Sequence, residues 1–434
     1  MAQRSTTSSL LPGTIFFSAL ISIVVLYAGL SRRLAMACPI DFNPAAPQVM
    51  HLDLNSCFAS VEQQANPLLR DKPIVVVHTL APYGCILAPS VEAKLWGIKT
   101  GMTLAEGQSL CPWLIARRAD PPKYRQVHRD IGELLNDYSS HVVSKSIDEF
   151  ALQLPGINPR QIALEIKSRI QSDIGDYLRV SIGVSTNQIL AKLASGLHKP
   201  NGFDLIDRNN YHDVYTKLNL QDFCGINIRN ELRLHRVGIF TALQFYSASI
   251  QTLHSAFGSI LGRYWYTRLR GYELDDLSFI RRSFGQSYVL PHPLPYLGWR
   301  PILAKLISKA ARRLRAHGAS ASGIALSLRF ADHTHWHTSH QLKTPLFSDA
   351  DLLAAALSLY SSTSPSKSVK KIAFTCFGLI QDSAQLSCLV DTAKQKALVT
   401  SLDQLNDRWG EYTVTYGSFL GSKGHVHDAI AFGK

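Results

Sequence analysis

Acidic residues placed beside apolar strands constrain this chain more than any other feature of its sequence. The segment Val49–Leu54 contains Asp53, and the segment Ile147–Leu152 carries the pair Asp148-Glu149. Short apolar runs of this kind predict β-strands. A carboxylate beside a buried strand is costly unless a cation or a hydrogen-bond donor compensates its charge. The pattern therefore predicts a metal site at these strands, with ordinary surface carboxylates as the alternative that residue type alone leaves open.

Further segments alternate between strand and helix patterns. The strands are Ile74–Val77, Arg179–Val184 and 324–330, and the helices are 162–170, 189–197, several within 206–275, and 301–316. A chain of 434 residues exceeds what one hydrophobic core usually supports. The order of elements therefore predicts an α+β fold with several domains.

The charge of the chain favours a polyanionic partner. Its 45 Lys and Arg against 32 Asp and Glu give a net charge of +13, which suits phosphate neutralisation by nucleic acid as well as a solvated basic surface. Its seven cysteines are scattered and odd in number, and no CxxC pair occurs. This usage is typical of a reduced, cytoplasmic protein.

The N-terminus conflicts with that interpretation. Residues 15–30 form a nearly unbroken apolar run followed by Arg32 and Arg33. Residues 10–30 could serve as a membrane anchor that leaves the rest of the chain in the cytoplasm. A cleaved signal peptide and an over-extended start with Met36 as the initiator are the two alternatives. We therefore set residues 1–45 aside when the fold is predicted.

Several motifs together carry a family resemblance. Asp53–Glu62, Ser146–Glu149, Ala191–Ser195 and Lys199–Gly202 resemble, in this order, the motifs of Y-family DNA polymerases. The resemblance extends from about residue 49 to the C-terminus. It implies template-directed, low-fidelity DNA synthesis past lesions, without proofreading. It also implies an α+β multidomain right-hand fold with a ferredoxin-like palm, small fingers, a helical helix-hairpin-helix thumb and an α+β little finger.

The resemblance also divides the chain. The expected parts are the apolar N-terminal segment 1–45, palm 46–57 and 122–205, fingers 58–121, thumb 206–275, linker 276–285 and little finger 286–434.

The same matching implies the roles of the acidic residues. Asp53, Asp148 and Glu149 would be catalytic and would hold two Mg²⁺ ions, with Mn²⁺ as a substitute and the Leu54 carbonyl assisting. Phe58 falls where the family places an aromatic steric gate, whose ring would clash with a ribose 2′-hydroxyl. For Phe58 alone, a core aromatic is the alternative.

The nucleotide pocket departs from the family pattern. Lys94 and Lys199 match positions expected at the triphosphate, but Lys94 replaces an arginine and so loses a bidentate phosphate contact. Val91 and Ala88 stand where the family has tyrosine and often threonine, and Cys57 replaces a common aromatic. The sequence therefore predicts a differently organised nucleotide pocket.

The predicted DNA contacts lie in the C-terminal half. Phe223–Asn227 resembles the family's helix-hairpin-helix, in which Gly225 would let the backbone approach a phosphate, although a plain helical turn is the alternative. Arg281 and Arg282 resemble a basic linker that tracks the DNA backbone. Residues 286–434 hold 16 Lys and Arg against 9 Asp and Glu, which favours DNA binding.

The expected partners are primer-template DNA and deoxynucleoside triphosphates, with the protein acting as a monomer. Gln385–Val390 loosely resembles the peptide by which bacterial polymerases bind the sliding clamp, and a core-packed segment is the alternative.

Two other functions are weighed against polymerase activity. One is a catalytically weak or silent relative that binds DNA as a scaffold in a repair complex. The other is a membrane-anchored cyclic-dinucleotide synthase, suggested by Asp148-Glu149-Phe150. Ser146-Ile147 stands where that enzyme needs paired glycines for close nucleotide approach, which argues against it.

Overall fold

The computed structural model describes residues 40–430 apart from 155, 157, 276–280, 362–366, 382–391, 423, 427 and 429. Contacts divide the chain into two compact units, one reaching residue 278 and one spanning 279–429. None of the helices within the described ranges combines the length and apolar composition needed to cross a bilayer.

The described part of the first unit contains two sheets and eleven α-helices, besides short 3-10 and π-helical turns. Its strands are β1 Val49–Leu54, β2 Ile74–Val77, β3 Ile86–Pro89, β4 Ile115–Arg118, β5 Val142–Ser144, β6 Glu149–Gln153, β7 Val180–Ser185 and β8 Phe203–Ile206. Its helices are α1 Cys57–Ala65, α2 Val91–Leu95, α3 Leu104–Leu110, α4 Pro121–Leu135, α5 Pro159–Arg169, α6 Gln188–Leu197, α7 Tyr211–Thr216, α8 Ile228–His235, α9 Ala242–Ser247, α10 Ile250–Phe257 and α11 Leu261–Arg268.

The larger sheet of this unit has the strand order β5-β6-β1-β7-β8. β1 lies at its centre and pairs antiparallel with both β6 and β7. Side chains alternate between the two faces of a strand. Met50, Leu52 and Leu54 accordingly lie in the hydrophobic core, which leaves His51 and Asp53 on the opposite face.

The smaller sheet, ordered β3-β2-β4, packs with α2 and α3 around a separate apolar cluster. A capping box begins α3, because the Thr103 hydroxyl accepts from the Glu106 amide and Glu106 accepts from the Thr103 amide. Helices α7 to α11 share a third core with α6. The prediction that 206–275 is mostly helical is confirmed.

The second unit is a four-stranded antiparallel sheet covered by helices. Its strands are β9 Ser283–Leu294, β10 Ala319–Phe330, β11 His335–Leu346 and β12 Val369–Gln381, and its helices are α12 Tyr296–Ala316, α13 Asp349–Ser361 and α14 Thr392–Trp409. The strand order is β11-β10-β12-β9. Apolar residues of α12 and α13 pack on alternate residues of the strands, such as Ile324, Leu326 and Leu328.

The predicted strands are present, some with shifted bounds, and β10 includes five residues before the predicted segment 324–330. β1 and β2 have the predicted bounds, whereas β7 is shifted by one residue. The third strand begins at Glu149 and not at Ile147. The amides of Lys145 and Ser146 both donate to the Glu149 carbonyl at 2.9 and 3.3 Å, so the turn between β5 and β6 includes Asp148 and shortens the strand.

The chain is already folded before residue 46, although the sequence analysis set 1–45 aside. Phe42 is 6% exposed and stacks on Tyr211 with ring centroids 4.4 Å apart. The Asn43 amide donates to the Arg270 carbonyl at 2.8 Å. Phe42 therefore belongs to the core formed by the helices of the first unit, and Asn43 is hydrogen-bonded to the same unit. Residues 1–39, with the apolar run, lie outside the described part of the chain.

Candidate active site

Strand pairing brings two of the predicted acids face to face. Asp53 on β1 is the register partner of Glu149 on β6. The Leu54 amide donates to the Asp148 carbonyl at 2.9 Å, which extends this pairing by one residue into the turn. The three acids predicted from the sequence therefore lie together at one end of the larger sheet.

Each of the two facing carboxylates is paired with a lysine. Lys199 Nζ lies 2.6 Å from Asp53 Oδ2. Lys192 Nζ, on α6, lies 2.7 Å from both Glu149 oxygens. Ammonium groups at these distances occupy positions on the carboxylates that other cations could take. Burial nevertheless raises the pKa of Asp53, and the ion pair with Lys199 opposes this rise only in part. The negative charges of Glu149 and Asp148 make smaller contributions that also raise the pKa.

A histidine lies directly beneath this carboxylate pair. His51 is completely buried, and its Nε2 lies 3.9 Å from Glu149 Oε1. Neither ring nitrogen has a hydrogen-bond partner. Burial, followed by the charges of Lys192, Lys199 and Lys145, lowers the pKa of His51 to about 3. The imidazole is therefore neutral at physiological pH.

The donor groups fit a divalent cation. His51, Asp53 and Glu149 each offer one ligand atom, and these atoms lie within 4.8 Å of one another. The Asp148 carboxylate is not one of this group and accepts a hydrogen bond from Ser146 Oγ at 2.6 Å. Carboxylate oxygens are the ligands that Mg²⁺ prefers. The charge compensation now supplied by two lysines is the compensation that bound cations would supply.

The loop that carries Lys199 is held by a buried polar pair. The Asn55 amide and the Ser181 hydroxyl bond to each other at 3.0 and 3.2 Å. Asn55 Oδ1 accepts from the Asn201 amide at 2.7 Å, and Ser181 Oγ accepts from the Gly202 amide at 3.2 Å. Since Ser181 is the register partner of Asp53 on β7, these bonds fix the Lys199 loop to the same end of the sheet.

The predicted steric gate is a ring held in place by a second ring. Phe58 on α1 is 6% exposed and stacks on Tyr124 of α4, with centroids 4.4 Å apart and planes at 11°. The Tyr124 hydroxyl donates to buried Glu62 at 2.9 Å, and Lys123 Nζ donates to the same carboxylate at 3.0 Å. The Phe58 ring is therefore held on the face that stacks against Tyr124. Cys57 beside it is also buried, and burial raises the pKa of its thiol well above the usual value.

Three of the four departures expected in the nucleotide pocket lie on one short stretch, and the fourth, Cys57, is on α1. Ala88 is on β3, and Val91 and Lys94 are on α2. Partial burial of the ammonium, followed by the charge of Lys199, lowers the pKa of Lys94, and the charge of Asp53 opposes that change. The charges of Lys199 and Asp53 therefore both act on Lys94.

An open pocket of about 730 Å³ adjoins the carboxylates. Asp53 and Glu149 line it together with Lys192, Lys199 and the exposed Cys224. Its remaining lining comes mainly from α6, the 198–205 segment and α7. The pocket gives a substrate access to the acids from the side of the helical part of the unit.

The predicted hairpin glycine has the backbone that only glycine adopts readily. Gly225 has φ +102°. Asn227 caps the start of α8, because its side chain accepts from the Asn230 amide at 3.0 Å. Arg281 and Arg282 lie at the start of the second unit and are exposed. The Arg281 guanidinium lies 5.2 Å from the Phe284 ring centroid.

Sequence reasoning missed Lys192, His51 and the Asn55–Ser181 pair. His51 carried a readable signal, since it precedes Asp53 by two residues on the strand and so shares its face. Lys192 lies in the motif Ala191–Ser195 but was given no role, because its contact with Glu149 depends on α6 packing against β7. A Cβ at Gly183 would lie 2.1 Å from the Ala191 carbonyl oxygen, so a glycine there permits this packing.

Comparisons with known proteins agree with this architecture. The impB/mucB/samB family matches residues 52–196, and its C-terminal domain matches residues 281–388. The chain is 30% identical to the DNA polymerase IV of Pelotomaculum thermopropionicum over 397 residues, which cover 87% of this chain and 94% of that one. It is 31% identical over 391 residues to the DNA polymerase IV of Moorella thermoacetica, covering 84% of this chain and 94% of that one.

Solved structures show the same fold. A Y-family DNA polymerase chimera of Dbh and Dpo4 superposes with a TM-score of 0.68 at 24% identity, covering 77% of this chain and 99% of the chimera. A Dbh ternary complex gives a TM-score of 0.58 at 23% identity with the same coverage. Two matched domains, near-complete coverage of the relatives and this right-hand fold leave one conclusion, which is that the chain belongs to the Y-family of DNA polymerases.

Proposed function

We propose that this chain, a DNA-directed DNA polymerase of the translesion kind, adds deoxynucleotides to a DNA primer at the site formed by Asp53, Asp148 and Glu149. One observation carries the proposal. Asp53 and Glu149 are partners across adjacent strands, and an ion pair with a lysine side chain compensates the negative charge of each carboxylate. Such carboxylates are available to cations that arrive with the substrate.

Asp53 and Glu149 would hold the divalent ions that the family uses, with Asp148 and the Leu54 carbonyl completing the ligand set. We assign two Mg²⁺ ions, with Mn²⁺ as a substitute, because oxygen ligands dominate the site. When bound, such ions activate the primer 3′-hydroxyl and stabilise the charge of the pyrophosphate leaving group.

Lys94 and Lys199 would bind the triphosphate. The proposal is supported by the charge of Lys199, which lowers the pKa of Lys94 after burial has done so, while the charge of Asp53 opposes that change. Lys199 would exchange its ion pair with Asp53 for a phosphate oxygen when the cation replaces the ammonium. Asn55 and Ser181 would then keep the loop, and with it Lys199, in position. Ala88 and Val91 lack the side-chain hydroxyls of the threonine and tyrosine that the resemblance leads one to expect there. These two lysines would therefore supply most of the phosphate contacts.

Phe58 would exclude ribonucleotides. Its ring is stacked on Tyr124, so it cannot move aside to admit a 2′-hydroxyl without breaking that contact. The same side chain therefore selects the sugar and contributes to the core.

The domain assignment follows the sequence prediction. The strands of the larger sheet come from 46–57 and 122–205, which we assign to the palm with 206 completing β8. We assign the smaller sheet, with α1 to α3, to fingers 58–121. Helices α7 to α11 lie within thumb 206–275, and linker 276–285 precedes little finger 286–434, although β9 already begins at Ser283 within that linker. We propose that Gly225, Arg281 and Arg282 contact the DNA backbone. The positive φ of Gly225 and the exposure of both arginines support this proposal.

Three finer proposals stand on the sequence alone. The first is that Gln385–Val390 binds the sliding clamp, and the second is that residues 10–30 form a membrane anchor. Both segments lie outside the described residues. Monomeric action in the cytoplasm is the third.

Template control is the property to test first for this function. The full chain with Mg²⁺ and the four deoxynucleotides should extend a primer on four templates that differ in one templating base. We expect each template to favour its complement, and Asp53→Asn to lose addition while Asp71→Asn, an exposed aspartate of the same unit, keeps it. Addition that ignores the templating base would overturn the proposal.

A further inference from the structure

We propose that His51 supplies a nitrogen ligand to a divalent cation held by Asp53 and Glu149, so that this site binds first-row transition-metal ions more strongly, relative to Mg²⁺, than oxygen ligands alone would allow. The inference rests on the proposed function, because it uses the same two carboxylates. It adds a donor that the resemblance does not supply.

The first support is the state of the imidazole. His51 is completely buried, and within the described residues neither ring nitrogen has a hydrogen-bond partner. Buried polar atoms without partners are rare in folded proteins and call for a water, an ion or a functional role. A ligand nitrogen aimed at a cation would account for it.

The second support is distance. His51 Nε2 lies 3.9 Å from Glu149 Oε1, and the ligand atoms of His51, Asp53 and Glu149 lie within 4.8 Å of one another. Two ligands that each lie about 2.1 Å from one ion can be at most about 4.2 Å apart. The histidine–glutamate pair meets this limit as it stands. The full set needs a contraction of less than an ångström, which side-chain rotation of the carboxylates supplies.

The third support is confinement. His51 is the register partner of Gly183, and α6 lies directly against that glycine. The imidazole therefore lies between the sheet and α6 and cannot turn towards solvent. Its Nε2 is on the side of Glu149, 3.9 Å from Oε1. The Lys199 side chain is 39% exposed, so its ammonium can leave Asp53 when a divalent ion arrives.

The consequence concerns which ion is preferred. Mg²⁺ strongly favours oxygen ligands and rarely accepts imidazole, whereas first-row transition metals bind imidazole well. One nitrogen among oxygen ligands should therefore raise the affinity for Mn²⁺ or Co²⁺ while leaving that for Mg²⁺ nearly unchanged.

The test uses Mn²⁺ alone, added to the full chain without DNA or nucleotide. Pulsed electron paramagnetic resonance should detect a directly bound ¹⁴N nucleus on the protein-bound Mn²⁺. Labelling the chain with ¹⁵N-histidine should replace that signal with the ¹⁵N pattern, which separates histidine from the nearby lysines without any mutation. His51→Gln should abolish the signal and weaken Mn²⁺ binding at least about tenfold. Its affinity for Mg²⁺, measured by competition, should stay near the wild-type value.

His198→Gln is the matched control, because His198 borders the same pocket but is 77% exposed and pairs with Asp204; it should keep the signal. Bound Mn²⁺ without a histidine-derived nitrogen signal would overturn the inference, as would a signal that survives His51→Gln or a chain that binds no Mn²⁺. If Mn²⁺ binds without nitrogen but is lost in Asp53→Asn, the inference fails while the carboxylate site stands.

Discussion

The side-chain oxygen of Asn55 accepts a hydrogen bond from the backbone amide of Asn201 at 2.7 Å, across 146 positions of sequence. Asn201 lies two residues after Lys199, whose ammonium is 2.6 Å from Asp53 Oδ2. The bond therefore connects the end of the strand that carries Asp53, the proposed catalytic aspartate, to the loop that carries the proposed triphosphate lysine. Nucleotide affinity should depend on it.

Asn55→Ala should raise the KM for deoxynucleotides roughly five- to tenfold with little change in kcat, because one hydrogen bond contributes about 1 kcal/mol and positions a binding group. Asn55→Asp keeps the acceptor and should show a smaller effect. Steady-state single-nucleotide incorporation measures both constants. An unchanged KM for the alanine variant would show that the loop is held without Asn55.

Sugar selection should depend on Phe58. Phe58→Ala should increase the efficiency of ribonucleotide relative to deoxynucleotide incorporation at least about tenfold, because removing the ring opens space at the 2′ position. Tyr124→Phe is the control, since it removes the hydroxyl bonded to Glu62 but keeps the ring on which Phe58 stacks. Equal selectivity in wild type and Phe58→Ala, with both proteins folded, would rule out Phe58 as the gate.

His51 should make the metal-free protein sensitive to acid. Its pKa is lowered from 6.5 to about 3, chiefly by burial. Between these values the unfolded chain binds a proton that the folded chain does not. The stability contributed by the neutral imidazole is therefore fully present above pH 6.5 and is lost as the pH falls towards 3.

Lowering the pH from 7 to 5 should thus reduce the free energy of unfolding of the wild type by about 2 kcal/mol more than that of His51→Gln. Urea unfolding in the presence of EDTA at both pH values gives this difference. An equal loss of the free energy of unfolding in the two proteins would mean that His51 takes up its proton at the same pH in the folded and the unfolded chain.

The sequence predicted the elements of the site better than their contacts. The strand around Asp53 was predictable because Met50, Leu52 and Leu54 alternate with His51 and Asp53. Asp148 was placed on a strand because Ile147 and Phe150 are apolar, but bonds from Lys145 and Ser146 to the Glu149 carbonyl put it in a turn. Local patterns do not show such a turn.

The resemblance predicted that Asp53 would meet Asp148 and Glu149, but the other contacts between distant segments at the site were not predicted. Lys192 and Glu149 are 43 positions apart, and their pairing requires α6 to lie against Gly183. The folded role of Phe42 was missed because the apolar run before it directed attention to a membrane. Both depend on packing that only the three-dimensional arrangement supplies.

Phe42 gives the N-terminal segment a measurable role in stability. Phe42→Ala should lower the free energy of unfolding by about 3 kcal/mol, because it leaves a cavity beside Tyr211. Ile40→Ala, at a residue that is 38% exposed, should cost about 0.5 kcal/mol or less. A chain that begins at Met36 keeps residue 42 and should match the full chain in urea unfolding. Similar losses for the two substitutions would contradict the packing of this segment.

The central claim is that Asp53, Asp148 and Glu149 form the catalytic centre of a polymerase, and primer extension tests it most directly. The full chain with Mg²⁺ and all four deoxynucleotides is compared with the double variant Asp148→Ala, Glu149→Ala and with Glu133→Ala, an exposed glutamate of α4. We predict template-dependent extension by the wild type and by Glu133→Ala, and none by the double variant. A folded wild-type protein that binds primer-template but does not extend it would contradict the account and favour a silent DNA-binding scaffold.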